Sequence, residues 1–227
     1  TVDPARAHEL LANLQKLGVD RIDYIVSNHA EQDHSGSIPR IIELHPDAKI
    51  LTNQKCKDML IDHLCIAEDK FITVKDRETI SIGGRTLEFL LAPWVHWPET
   101  MFTYSREDKI LFSCDFLGSH YASSSLFVED EAKVYEGAKR YYAEIMMPFS
   151  TSIRKHLETI KTLDVEMIAP SHGPVYSRPE TILNECSKWI SDKGKNEVII
   201  VFVSMHGSTE KMVNHLIDAL IDRGITV

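Results

Sequence analysis

The sequence predicts a mixed α/β protein whose chemistry gathers at the ends of strands. Three observations carry that prediction. Short apolar runs rich in β-branched residues alternate with amphipathic stretches along the chain. Several of those runs end in loops that carry His, Asp and Glu. Around Asp192-Lys193-Gly194-Lys195-Asn196 a polar stretch is followed by a fresh strand–loop–helix pattern, as a second, parallel α/β domain would open. The division falls at 1–194 and 195–227.

Asp3-Pro4 pairs an N-cap residue with proline at the first helical position, and Gly18 supplies a stop. Between them Leu10, Leu11, Leu14 and Leu17 share one face. An apolar strand from Ile22 to Ser27 runs into the polar loop Asn28–Gly36. A helix from Ile38 to Leu44 is closed by Pro46. Lys49 to Thr52 reads as a strand and Lys55 to Leu64 as a helix. Several strands are expected between Phe71 and Tyr104, with Gly83-Gly84 as a hairpin turn. Lys109 to Ser113 forms another strand, which leads to Asp115. Two helices are expected between Glu131 and Thr162, a strand over Val165 to Ala169, and a helix over Pro179 to Lys193. Beyond the boundary come a strand from Glu197 to Ser204 and a helix from about Thr209 to Arg223.

Composition narrows the function. The 227 residues carry 25 basic and 34 acidic side chains, a net charge of −9. That balance argues against non-specific binding to nucleic acid or to anionic membranes, which requires clustered Lys and Arg. No apolar run has the length of a membrane span. The beginning, TVDPARAHEL, lacks a signal-peptide layout. Four cysteines without a C-x-x-C pair argue against a disulfide framework or a zinc knuckle and for a reducing, cytoplasmic setting.

The 11 histidines are more informative. His29-Ala30-Glu31-Gln32-Asp33-His34 places four ligand-type side chains directly after a strand. Such groups would repel or desolvate one another unless a cation compensated them. His96, in Trp94-Val95-His96-Trp97-Pro98-Glu99-Thr100, would alone read as a packed interfacial histidine. Asp115 would alone read as a strand cap, and His172, before Gly173-Pro174, is weak by itself. Each of the three nevertheless follows a predicted strand. A packed sheet gathers such positions at one edge.

The order His-x-Glu-x-Asp-His, then His, Asp and His, resembles the metallo-β-lactamase superfamily. The phrases His96-Trp97-Pro98-Glu99-Thr100-Met101, Ser113-Cys114-Asp115 and Ala169-Pro170-Ser171-His172-Gly173-Pro174 are similar to those of flavodiiron proteins, also called A-type flavoproteins. That resemblance implies an αββα metallo-β-lactamase-like sandwich followed by the first strand and helix of a flavodoxin-like domain. It implies that His29, Glu31 and His96 hold one iron, that Asp33 and His172 hold the other, and that Asp115 bridges them. His34 is a ligand in some members and not in others, so its role stays open. His120 is assigned a supporting or structural place.

Glu31 stands where the hydrolases of the superfamily usually have His. A carboxylate there makes the ligand set harder and more anionic, which suits iron, although zinc also accepts carboxylates. The implied activity is reduction of dioxygen to water or of nitric oxide to nitrous oxide at a di-iron site supplied by FMN. The alternative is a dizinc hydrolase of the lactamase or glyoxalase II kind. A non-catalytic electron-transfer or sensor module is a third possibility. The resemblance further implies a rubredoxin-like electron donor and a head-to-tail homodimer or tetramer.

The second loop, Ser204-Met205-His206-Gly207-Ser208-Thr209, lies between an apolar strand and a helix. Hydroxyls and backbone N–H groups at a helix N-terminus form an anion cradle. A simple N-cap by Ser208 or Thr209 is the competing reading. The loop lacks the Gly-Lys-Ser/Thr of nucleoside-triphosphate sites. It resembles the flavodoxin phosphate loop, which implies that these six residues grip the FMN phosphate. Against that family, strands before the first helix and the later flavin-binding loops are missing, as expected for a portion of a longer protein.

Overall fold

Asp3 and Pro4 begin the first helical turn as their chemistry dictates. The Asp3 carboxylate accepts the Ala5 N–H at 2.8 Å, and proline occupies the first position. A 3₁₀ turn over Pro4–Arg6 leads into α1 (Ala7–Lys16), and Gly18 ends it with φ +68°. Leu10, Leu11 and Leu14 pack inward, whereas Leu17 is 76% exposed, contrary to the one-face expectation. Its direction matches theirs, but it lies at the C-cap, past the cluster on which the helix rests. The computed structural model describes residues 1–191 and 194–227.

Two sheets follow. The first is wholly parallel and runs β1 (Tyr24–Val26), β2 (Lys49–Thr52), β3 (Phe71–Thr73). The short α2 (Gln32–Ser35) and α3 (Ile38–Leu44) join β1 to β2, and α4 (Gln54–Leu64) joins β2 to β3. Asn53 caps α4 by accepting the Cys56 N–H at 3.0 Å. The second sheet runs β4 (Thr79–Ser81), β5 (Thr86–Leu91), β6 (Met101–Ser105), β7 (Ile110–Cys114) as an antiparallel meander. Its last member, β8 (Met167–Pro170), lies parallel to β7. That connection carries α5 (Glu131–Tyr141) and α6 (Ser150–Lys161). Between these helices are a π turn over Tyr142–Met146 and a 3₁₀ turn over Met147–Phe149, which contains Pro148. Helix α7 (Pro179–Trp189) follows β8; the expected end at Lys193 lies outside the described residues.

Three apolar clusters define the layers. One joins β1 and β2 to α1, α3 and α4. Another joins β5 to β8 with α5, α6 and α7. The third lies between the sheets, where Leu51 of β2 meets Phe89 of β5 and Met101 of β6. The order is therefore helices, sheet, sheet, helices, the expected αββα sandwich. All five residues of β6 are buried, as in a strand covered on both faces.

The described chain forms two compact units, Thr1–Ile190 and Ser191–Val227. In the second, α8 (Ser208–Ile221) forms close to its expected place. The strand expected over 197–204 does not. Glu197 bridges Thr226, and the Val198 N–H donates to the Thr226 carbonyl at 2.7 Å, but residues 199–203 have no ladder. A strand exists through hydrogen bonds to neighbouring strands, and apolar character alone cannot supply them. Ile199 and Val201 are 90% and 91% exposed. The part of the expected domain boundary at Asp192 and Lys193 lies outside the described residues.

Candidate metal centre

Four loops at strand ends build one basin. After β1, Ser27 donates its hydroxyl to the His29 carbonyl at 3.1 Å. Ser35 donates to the Ala30 and Glu31 carbonyls at 2.7 and 2.9 Å, which winds the segment into α2. His96 lies in the loop between β5 and β6, which is closed by the Ala92 N–H bond to Thr100 at 2.8 Å. Asp115 follows β7, and His172 follows β8. The last two loops are tied together where the Ser119 N–H donates to the His172 carbonyl at 3.0 Å. Gly173, with φ +87°, passes so close to Ser119 that a Cβ would stand 2.2 Å from its hydroxyl oxygen.

Seven side chains converge there, in two groups. In the first, His29 Nε2 lies 3.2 Å from Glu31 Oε2 and 3.4 Å from Asp115 Oδ2. His96 Nε2 lies 3.6 Å from Glu31 Oε2 and 3.1 Å from Asp115 Oδ2. In the second, His34 Nε2 lies 3.4 Å from Asp33 Oδ2 and 2.9 Å from Asp115 Oδ1. His172 Nε2 lies 3.3 and 3.2 Å from the same two oxygens. Asp115 thus gives one oxygen to each group.

These spacings fit a pair of cations. Ligand atoms bound to one metal at about 2.1 Å stand about 3.0 Å apart on an octahedral edge and about 3.4 Å on a tetrahedral one. His34 Nε2 and Asp115 Oδ1 are 2.9 Å apart, yet both are buried without a properly directed hydrogen bond. Atoms that point at a common centre rather than at each other behave this way. Charge agrees as well. Glu31, Asp33 and Asp115, with Glu99 behind them, bring four negative charges, which two divalent ions neutralise.

The surroundings sharpen the electrostatics. Burial opposes the charge of Asp115, but His172, His34 and His96 outweigh it and hold the carboxyl well below the usual carboxylate range. Glu99, absent from the sequence-derived ligand set, is fully enclosed. Its Oε1 accepts from His29 Nδ1 at 2.6 Å and from the Ala30 N–H at 3.1 Å. Burial raises its pKa, but these two donors prevail and lower it. Tyr141 of α5 was also missed. Its ring centroid lies 6.0 Å from that of His172 and 4.6 Å from that of His120. Burial, and after it the charge of Asp115, raises its pKa. His120 is exposed, with its ring centroid 5.8 Å from that of His172. Glu99 could have been noticed as a carboxylate inside an otherwise aromatic phrase, whereas Tyr141 left no trace in spacing.

The loops hold unusual backbone. Trp94, Cys114 and Leu117 have φ of +67°, +54° and +65°. For residues with a Cβ such angles cost about 1–2 kcal/mol each. Each lies within two residues of His96 or Asp115. A cavity of about 320 Å³ opens beside the second group, lined by Asn28, His29, Asp33, His34, Cys114 and His172 among others.

In the second unit, Gly207 caps α8 at φ +76° without a side-chain cap, so neither Ser208 nor Thr209 serves as one. The Glu210 N–H donates to the Ser204 hydroxyl at 3.3 Å. Met205 is 86% exposed.

An αββα sandwich with a His and carboxylate basin at its strand ends is a metallo-β-lactamase-type scaffold. More narrowly, the chain belongs to the ODP family of beta lactamases, whose family profile matches residues 4–173. It is similar to a nitric oxide reductase of Moorella thermoacetica, 38% identical over 96% of this chain and 56% of that protein. The flavodiiron protein of Giardia intestinalis superposes with TM-score 0.89 at 33% identity, over 100% of this chain and 57% of that one. Rubredoxin oxygen:oxidoreductase of Desulfovibrio gigas does so with TM-score 0.91 at 30% identity, over 100% and 59%. The chain thus spans little more than half the length of these relatives.

Proposed function

We propose that the complete protein is an oxidoreductase that reduces dioxygen, nitric oxide or both at a non-haem di-iron centre supplied with electrons by FMN. The observation that carries this reading is the division of Asp115, one oxygen toward each of two matched groups of two imidazoles and a carboxylate. His29, Glu31 and His96 would hold one iron, Asp33, His34 and His172 the other, with Asp115 between them. When bound, such a pair supplies electrons and Lewis acidity to a small gas molecule. The chain's own residues position and enclose. The Trp97 ring is perpendicular to that of His29, with centroids 5.0 Å apart, and Tyr141 lies beside His172, so aromatic rings flank one imidazole of each group. Glu31 and Asp33 remain about 40% exposed and leave room for a diatomic ligand.

The relatives named as nitric oxide reductase and as oxygen:oxidoreductase support reduction over hydrolysis. Residues 195–227 are read as the beginning of an FMN domain. Ser204, Met205, His206, Gly207, Ser208 and Thr209 would cradle the phosphate at the start of α8. A rubredoxin-like donor, a homodimer and a cytoplasmic setting complete the proposal. Among the described residues no helix is long and apolar enough to cross a membrane. The test is metal and flavin analysis of the complete protein with anaerobic turnover of both gases. About two irons per chain, bound FMN and gas consumption are expected. Two zinc ions with thioester or lactam turnover would establish the hydrolase instead.

A further inference from the structure

The two groups of the basin are matched in their ligands: each has two imidazoles, one private carboxylate and one oxygen of Asp115. They are not matched in what stands behind the ligands. On the first side His29 is completely enclosed, and its Nδ1 lies 2.6 Å from Glu99 Oε1, which also accepts the Ala30 N–H at 3.1 Å. Glu99 is itself held, because the Asn53 amide donates to its backbone carbonyl at 2.6 Å while the other end of that amide caps α4. A rigid acceptor at Nδ1 selects the tautomer whose Nε2 lone pair faces the basin. A carboxylate behind an imidazole also makes it a stronger donor. On the second side no such support exists among the described residues. Among the described residues the other ring nitrogen of His34 has only the Cys114 sulfur, at 4.0 Å. Among the described residues no carboxylate lies within ion-pairing distance of Nδ1 of His34, His96 or His172. His172 on the second side is also 29% exposed against 0% for His29.

We infer that Glu99 is a positioning residue that makes the two metal positions unequal. The position of His29, Glu31 and His96 binds its ion first and holds it more firmly. The position of Asp33, His34 and His172 fills second and empties first. The inference rests on the two-metal reading of the basin.

The test is anaerobic titration of the complete protein, stripped of metal, with Fe²⁺, followed by calorimetry and by Mössbauer spectra of ⁵⁷Fe at one ion per chain. The natural protein is expected to bind in two resolved steps and to give one spectral species at half loading. Glu99→Gln keeps shape and an acceptor but removes the charge. It is expected to weaken the first step about 10–100-fold, leave the second nearly unchanged, and distribute half-loaded iron between two species. Equal weakening of both steps, or none, would overturn the role of Glu99. Should this variant fail to fold, release of iron from the natural protein to a chelator takes its place. Two phases are expected, of which Asp33→Asn accelerates the fast one alone; acceleration of the slow phase refutes the order of positions. Binding of fewer than two ions at saturation would instead defeat the two-metal reading itself.

Discussion

Residues 27–34 and residues 204–209 are both polar loops after an apolar run, yet the molecule treats them differently. The first loop follows β1, which is paired to β2 and joined through Ile25 to a cluster with three helices. Its side chains are aimed by a finished core and meet partners from three other loops. The second loop follows residues 199–203, which have no ladder partner among the described residues and expose Ile199 and Val201 almost completely. It offers mainly backbone, the start of α8, where the Glu210 N–H is taken up by the Ser204 hydroxyl at 3.3 Å. A site made of side chains needs many distant residues to agree, whereas an anion cradle needs only one loop and one helix start.

That contrast can be broken or sharpened by substitution, beginning with the largest effect. Asp115→Ala removes the shared ligand and leaves His34 and His172 with Asp33 alone as a common partner. Iron per chain should fall below one and gas turnover by more than about 100-fold, since even supporting residues around metals are worth 10–100-fold. Full metal content measured by atomic absorption would end the bridging assignment. Phe102→Ala, at a side chain 1% exposed, should cost about 3–5 kcal/mol in denaturant unfolding. Gly173→Ala pushes a Cβ against Ser119 at an unfavourable φ and should cost about 1–3 kcal/mol, with loss of metal affinity. An unchanged melting temperature would show that the two loops yield easily. In the second unit, Thr209→Val should weaken flavin binding in the complete protein about 3–10-fold, one hydrogen bond's worth, with iron unaltered. Loss of iron there would contradict the separation of the two sites. Smallest of all, Val201→Asp in the 227-residue chain should change stability by less than about 0.5 kcal/mol, because the side chain is 91% exposed.

Much of this was legible in the sequence, for physical reasons. Strands such as Lys49–Thr52 and helices such as Ile38–Leu44 announce themselves through β-branched runs, caps and prolines. The convergence of the candidate ligand residues could be read because carboxylates and imidazoles at strand ends are costly without a cation. The expected strand over 197–204 was misread because hydrophobicity marks the wish for a partner and not its presence. Leu17 has the right direction, but a helix can outrun the cluster it lies on. Glu99 and Tyr141 went unassigned because their roles depend on contacts across 70 and 31 residues, to His29 and His172. Periodicity carries no information about such contacts.

The left-handed turns at Trp94, Cys114 and Leu117 bear on any attempt to transplant this centre. The ligand phrases could be copied into another sandwich letter by letter. Their side chains would still splay unless the host forced the same three unfavourable bends. What a graft would have to carry is therefore the surrounding frame that keeps those bends in place, and a short sequence tag could not do so.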